Sequence, residues 1–590
     1  MKHMLRAKLS AIALGIAVLS FAQADDTART TTPIKHVIVV IGENHTLDNL
    51  FGGYKPPKDQ TIHNLLSEGV VNEDGSPGPN FAKAIQQQAG NTKVYRIDPS
   101  ITGAFATLPQ PQTTYATGLP PNVPDVRFPA NLRPGPFQIT NYVPYDSYTG
   151  DPPHRFFQMW QQIDEGKNDL FAWVSVVTGI GPDNSFNPPP YGPNNTFQGG
   201  EALGFYNMSA GDAPKFKALA QHYALSDNYH QFVMGGTGAN FLSIATGDVA
   251  YFNSNGAPAK PFDNQIEDPD PQPATNNWYK KDGYTGGSYV NCADPSAAGV
   301  SAIMSYIKSQ PGTPFRGGNC APDTYYLVNN YGLGYTFDGS PKPIAFDKFT
   351  LPPQTIPTIA DALSAAHISW KWYSGGREGA KTTSEYCGIC DPFTGFTSIM
   401  TTALKNNLQG MTELDSDLAG SSDQFPAVAF VRPPESKAGH PANAKVIDYE
   451  NFVADLVDKV KANPALWKET AVLITVDEGG GYYDSGYIQP VDFFGDGTRI
   501  PLLAVSPWAK KGHVDHTYAD HASILKFIEK NWHLQPLSAR SRDNLPNPVQ
   551  RSEDEDKPSY APSNRPAISD LMSLFNFEHD KDKDRKVNDD

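Results

Sequence analysis

Four short apolar runs, each ending in polar residues, constrain this chain more than any other feature. They are His36-Val-Ile-Val-Val-Ile41, Pro426-Ala-Val-Ala-Phe-Val431, Ala471-Val-Leu-Ile-Thr-Val476 and Ile500-Pro-Leu-Leu-Ala-Val505. Continuous β-branched residues, rather than alternating ones, belong to strands buried on both faces of a parallel sheet. Between the second and third runs lies a helical pattern from Tyr449 to Ala462. Its residues Phe452, Val453, Leu456, Val457 and Val460 recur at three- and four-residue steps and form one buried stripe. A second amphipathic segment, Ser523 to Trp532, follows the last run. Strand, helix, strand in this order predicts an α/β fold with helices covering a mostly parallel central sheet.

The stretches 103–153, 183–200 and 252–345 are rich in Pro, Gly, Asn, Asp and Tyr and carry no sustained periodicity. They read as long loop insertions, with 252–345 placed near the site. Residues 1–24 have the layout of a secretory signal peptide. Lys2, Arg6 and Lys8 precede the apolar stretch Leu9 to Phe21, and Ala22-Gln23-Ala24 is the cleavage site. No later run is long and apolar enough to span a bilayer, so no transmembrane anchor is expected after cleavage. The expected location is periplasmic or secreted. Residues 25–550 read as one catalytic domain and 551–590 as a polar, partly disordered tail. Lys and Arg total 47 against 63 for Asp and Glu, a net charge of -16, which argues against a nucleic-acid partner. The even number of cysteines fits an oxidising compartment. Cys292–Cys320 and Cys387–Cys390 are the expected bridges; half a zinc site or a redox pair is the other reading of Cys387-Gly-Ile-Cys390.

In parallel α/β sheets, ligands bind beyond the carboxyl ends of the strands. Glu43-Asn44 follows the first run and Asp477-Glu478 the third. Two acidic pairs delivered to one rim suit a hard cation; singly, each also reads as a solvated strand end or a helix cap. Gly479, Gly480 and Gly481 permit tight turns and close approach of a ligand. Thr237, in Gly235-Gly236-Thr237-Gly238, enters a helical segment and reads equally as a nucleophile beside helix amides or as an N-cap. His154, His440 and His521 lie in polar settings, where a structural histidine and a general acid look alike in sequence.

These residues fall in motifs that resemble the bacterial phosphoesterase family of phospholipase C enzymes and acid phosphatases. The first is Glu43-Asn44-His45-Thr46-Leu47-Asp48-Asn49-Leu50-Phe51-Gly52, near ENxSFDxxFG. The second is Gly235 to Gly247, near GPTxPNRLYLxTG, and the third is Ile474 to Asp484, near ITxDExGGxYD. A fourth spans Arg499 to Glu529, and His154 to Phe171 resembles a further stretch ending in GKMDxF. The motifs run in order from about residue 35 to 532. The resemblance implies an alkaline-phosphatase-like fold and a metal-dependent phosphoric ester hydrolase. It also implies that Glu43, Asn44, Thr237, Asp477 and Glu478 hold metal. Thr237 would attack phosphorus, giving a phospho-threonine that water hydrolyses, with His154, His440 and His521 around the phosphoryl group. The sequence departs from the pattern at Ala239 and at Phe241, which stands where the family has an arginine.

The chemistry of a phosphate ester agrees, because a cation neutralises its oxygens and activates a hydroxyl. Oxygen ligands allow calcium, magnesium or manganese, while histidine participation favours zinc. The expected substrate is a phosphate ester or a phospholipid. The reading favours an acid-phosphatase-like enzyme over a phospholipase C, and either over a non-catalytic exported binding protein. None of the cysteines sits in the CxPSR-type motif that a sulfatase requires.

Overall fold

A computed structural model describes residues 29–90, 92–111, 124–178, 200–273, 277–284, 286–554 and 557–578. The expected leader and the last residues of the chain lie outside these ranges. The centre is an eight-stranded sheet. In chain order its strands are β1 (His36–Gly42), β2 (Ala224–Ser226), β3 (Trp370–Ser374), β4 (Leu408–Gln409), β5 (Val428–Arg432), β6 (Thr470–Val476), β7 (Leu502–Val505) and β8 (Val514–Asp515). Across the sheet they run β4-β3-β5-β1-β6-β7-β2-β8. All neighbours are parallel except β7, which is antiparallel to both β6 and β2.

The expected α/β class is therefore the one found. Every residue of β1, β5 and β6 is buried, as continuous apolar runs require. The run at 500–505 departs from the expected parallel direction. The chain leaves β6 at its carboxyl end, and residues 477–501 stay at that end without a crossover helix. The next strand must then run back. Four further strands carry weaker signals: β2, β4 and β8 are two or three residues long, and β3 is the mixed sequence Trp370-Lys-Trp-Tyr-Ser374.

Four helices matter for the site: α1 (Phe156–Gln162), α2 (Thr237–Thr246), α3 (Val446–Ala462) and α4 (Ala522–Trp532). Helix α3 buries Tyr449, Val453, Leu456, Val457 and Val460. The Tyr449 hydroxyl donates to the Thr475 carbonyl at 2.6 Å and accepts from the Gly42 amide at 3.2 Å. One side chain thus ties together the ends of β1 and β6. The 252–345 insertion folds as short hairpins and one helix, pinned by the Cys292–Cys320 disulfide; Cys387–Cys390 is also bridged. The segment expected to be a polar tail includes packed structure, since Ile568, Leu571, Leu574 and Phe575 are buried in the main core. No helix among the described residues is long and apolar enough to cross a membrane.

Arg499, fully buried just before β7, joins three motif segments. Its guanidinium donates to Asp484 Oδ2 at 3.0 Å, to Asp48 Oδ2 at 3.2 Å and to the His63 carbonyl at 2.6 Å. The surrounding acids raise its pKa against the opposing effect of burial. Removing one partner of a buried ion cluster leaves charges that cannot be solvated. Arg499→Met should therefore lose about 3–5 kcal/mol of stability in urea denaturation. Adding Asp48→Asn to that variant should restore part of the loss.

Candidate active site

Strand register brings the two acidic pairs together. β1 and β6 are parallel neighbours with Gly42 opposite Val476, so Glu43-Asn44 and Asp477-Glu478 leave the sheet side by side. The Asp477 amide donates to the Gly42 carbonyl at 3.0 Å, and the Asn44 amide donates to Asp477 Oδ1 at 3.2 Å. Asn44 sits at φ 66°, a left-handed conformation that asparagine tolerates better than most residues. The glycines 479–481 serve the chain's own close approach. A β-carbon on Gly480 would lie 2.6 Å from that of Asn44, and one on Gly481 would meet the Pro153 carbonyl.

Thr237 is the first residue of α2, and Gly236 occupies the cap position. Its hydroxyl is therefore not spent on capping. It donates instead to Glu478 Oε1 at 3.1 Å, at the buried amino end of a ten-residue helix. The neighbouring Gly238 amide donates to Asn330 Oδ1 at 2.6 Å. Phe241, at the family's arginine position, points away from this end and packs against Trp372 in the core.

His154 and His440 face each other across Asn44. Each ring bonds through Nδ1 to a main-chain carbonyl, His154 to Pro152 at 2.7 Å and His440 to Pro441 at 2.6 Å. A carbonyl only accepts, so each Nδ1 carries a proton, and in the neutral ring Nε2 keeps its lone pair. Asn44 Nδ2 points at both, 3.5 Å from His154 Nε2 and 3.1 Å from His440 Nε2. Ligand atoms of Asp151, His154 and His440 lie within 4.8 Å of one another. Burial, with Arg155 and His440 nearby, drives the His154 pKa well down. Burial also opposes the charged form of His440, but Asp151 and Glu43 outweigh it and raise its pKa.

His521 does not face this group, contrary to expectation. Its Nε2 donates to the Asp477 carbonyl at 2.6 Å and its Nδ1 lies 2.9 Å from the Tyr229 hydroxyl. Both ring nitrogens are thus committed, and the residue positions the Asp477 main chain. Glu43 gives one oxygen to a buried ion pair with Arg432, the last residue of β5, and Oε2 lies 3.9 Å from His440 Nε2. Cys390 Sγ is 3.3 Å from Glu43 Oε1, but the bridged sulfurs of Cys387 and Cys390 are not thiolates and offer no metal site.

The residues that the sequence left unmarked are Asp151, Arg155, Asn330 and Arg432. Asp151 and Arg155 flank His154 in sequence, which was the available signal. Asn330 comes from the insertion and Arg432 from a strand end, and neither has a local signature. Arg155 stacks its guanidinium 4.0 Å over the Tyr284 ring and keeps an unbonded Nε.

The acceptors Asn44 Oδ1, Asp477 Oδ2, Glu478 Oε2 and Asp151 Oδ1 are buried without donors. Such oxygens are costly unless a cation or proton satisfies them. Burial and mutual repulsion raise the pKa values of Asp477 and Glu478 well above the ordinary carboxylate range. A divalent cation removes both penalties, and this oxygen set with neutral imidazoles fits one. The packing also makes the glycines testable. Gly480→Ala should cost about 1–3 kcal/mol in chemical denaturation, since the new methyl needs both a left-handed backbone and the space Asn44 occupies.

A model of the Phosphoesterase family matches residues 34–535. A non-hemolytic phospholipase C of Pseudomonas aeruginosa is 24% identical over 37% of this chain and 33% of its own length. A phosphate-repressible acid phosphatase of Penicillium chrysogenum is 28% identical over 32% of this chain and 46% of its own. The aligned regions thus span between a third and a half of these two relatives. Among solved structures, an alkaline phosphatase superfamily protein from Vibrio parahaemolyticus superposes with TM-score 0.25 and 11% identity, over 54% of this chain and 60% of that one.

Proposed function

Since the chain belongs to the Phosphoesterase family, we propose that it is an exported, metal-dependent phosphoric ester hydrolase with Thr237 as nucleophile. One observation carries the reading: a buried helix-terminal hydroxyl donates to a carboxylate beside four orphaned acceptor oxygens. Asn44, Asp477 and Glu478 would hold the cation, with Thr237 and the free oxygen of Glu43 at its margin. Asp151 and His154 would add two further ligand atoms, leaving His440 beside them free to carry a proton. When bound, the cation offsets phosphate charge and lowers the pKa of the attacking hydroxyl.

The chain's own groups supply the remaining steps. Glu478 takes the Thr237 proton as the threonine oxygen bonds to phosphorus and the ester oxygen leaves. Protonated His440, raised by Asp151 and Glu43 and the less buried of the two histidines, gives its Nε2 proton to the leaving alcohol. The same nitrogen, now neutral, accepts a proton from the water that cleaves the phospho-threonine, and Glu478 returns its proton to the departing Thr237 oxygen. Arg155 would bind the phosphate oxygens and do the work expected of the arginine replaced by Phe241. His521 holds the Asp477 loop. The paired sulfurs and the leader at 1–24 support export.

A phosphomonoester is the first substrate class. A second reading, head-group cleavage of a phospholipid, is favoured by the exposed aromatic loop described below. Parallel assays on p-nitrophenyl phosphate and phosphatidylcholine separate the two. Thr237→Ala should lose at least about a thousandfold in kcat while circular dichroism is unchanged, because covalent steps depend on the nucleophile. Full activity in that variant would reject the assignment. Asp477→Asn should lower bound metal, read by elemental analysis, and should reduce the protons released when stripped protein is reloaded.

A further inference from the structure

The insertion carries an exposed apolar surface that the hydrolytic site does not use. Phe346 is 60% exposed, Phe349 45%, Phe262 39% and Ile344 37%. These include every exposed phenylalanine among the described residues. They form one patch. The Phe262 and Phe346 rings are 6.1 Å apart, Asn264 Nδ2 donates to the Phe346 carbonyl at 3.0 Å, and Gln265 Nε2 donates to the Ala345 carbonyl at 3.3 Å.

We infer that this loop pair, 258–263 with 341–349, is an interfacial docking surface that seats the protein on a phospholipid bilayer. Three features select a lipid surface. Phenylalanine and isoleucine at loop tips enter the headgroup–acyl boundary, whereas exposed contiguous apolar groups are unfavourable in water. Pro258, Pro261, Pro341 and Pro343 stiffen the loops and present no amide donors to be desolvated. Three lysines, Lys260, Lys342 and Lys348, stand against two aspartates, Asp263 and Asp347, which pair with Lys260 and Lys348; the loops thus carry one net positive charge in a chain of net charge -16, which favours anionic headgroups.

The patch also connects to the catalytic group. Phe349 packs on Tyr331 with rings 5.5 Å apart, and the Gly332 amide donates to the Phe349 carbonyl at 3.0 Å. Tyr331 follows Asn330, whose side chain accepts from the Gly238 amide next to Thr237. Docking this loop would hold the helix-terminal site close to the lipid headgroups. That consequence rests on the proposed hydrolase reading; the docking itself does not.

The test uses the full mature protein and needs no turnover. Wild type should co-sediment with phosphatidylcholine vesicles and more strongly when phosphatidylglycerol is added. Phe346→Ser with Phe349→Ser should weaken that binding about tenfold or more, while p-nitrophenyl phosphate hydrolysis stays unchanged. A Phe346→Trp probe, which preserves the apolar tip, should shift its emission to the blue on adding vesicles. Absence of vesicle binding by wild type, equal binding by the double variant, or an unmoved tryptophan spectrum would each overturn the inference. So would a wild-type dimer that the double substitution splits, since the patch would then cover a second copy.

Discussion

Repulsion between acids forced onto one buried edge governs this structure. Glu43, Asp477 and Glu478 leave two adjacent parallel strands at the same level and are almost wholly buried. Like charges about 4 Å apart cost on the order of 4 kcal/mol even at an effective dielectric of 20. Arg432 offsets Glu43 but is shared with Glu435, and the charge of Arg155 acts on Glu478 and Asp151. The residue of negative charge must be met by protons or by a cation. Such an arrangement carries an electrostatic cost, as sites with strongly displaced pKa values commonly do.

The surrounding architecture keeps that edge from relaxing. Tyr449 clamps the ends of β1 and β6, His521 holds the Asp477 carbonyl, and Asn44 is fixed in a left-handed turn against Gly480. Each clamp acts through the main chain, so the carboxylates remain available. A second charge network behaves differently. Arg542 is enclosed by Asp492, Asp496 and Asp520, and Arg499 by Asp48 and Asp484, with short bonds on each guanidinium. Those acids are paired by the protein itself. In that network arginines supply the counter-charge, although Asp496 Oδ2 still lacks a donor, whereas Asp477 and Glu478 have no ion-pair partner among the described residues.

Much of the sheet was legible because its strands are apolar on both faces, a pattern that survives without knowledge of neighbours. The acidic pairs were legible for the same reason, since they end those strands. Thr237 was ambiguous from sequence because a cap and a nucleophile occupy neighbouring positions; only the placement of Gly236 as the cap resolved its geometry. The bonds of His521 to Tyr229 and the Asp477 carbonyl were not legible, because a polar setting does not reveal whether both ring nitrogens are engaged. β7 was assigned the wrong direction because periodicity reports burial and not strand sense. Asn330 and Arg432 were missed because their relation to the site exists only in three dimensions.

The insertion shows why such residues matter. It supplies Tyr284, which supports Arg155, and Asn330, which meets the helix that bears Thr237. From the same segment a short path through Tyr331 leads to Phe349 at the surface. The acidic strand ends are thus contacted by loops that also reach the surface. Chemistry is set by strand ends, whose register tolerates no slip, while access is set by hairpins that can vary without disturbing the sheet.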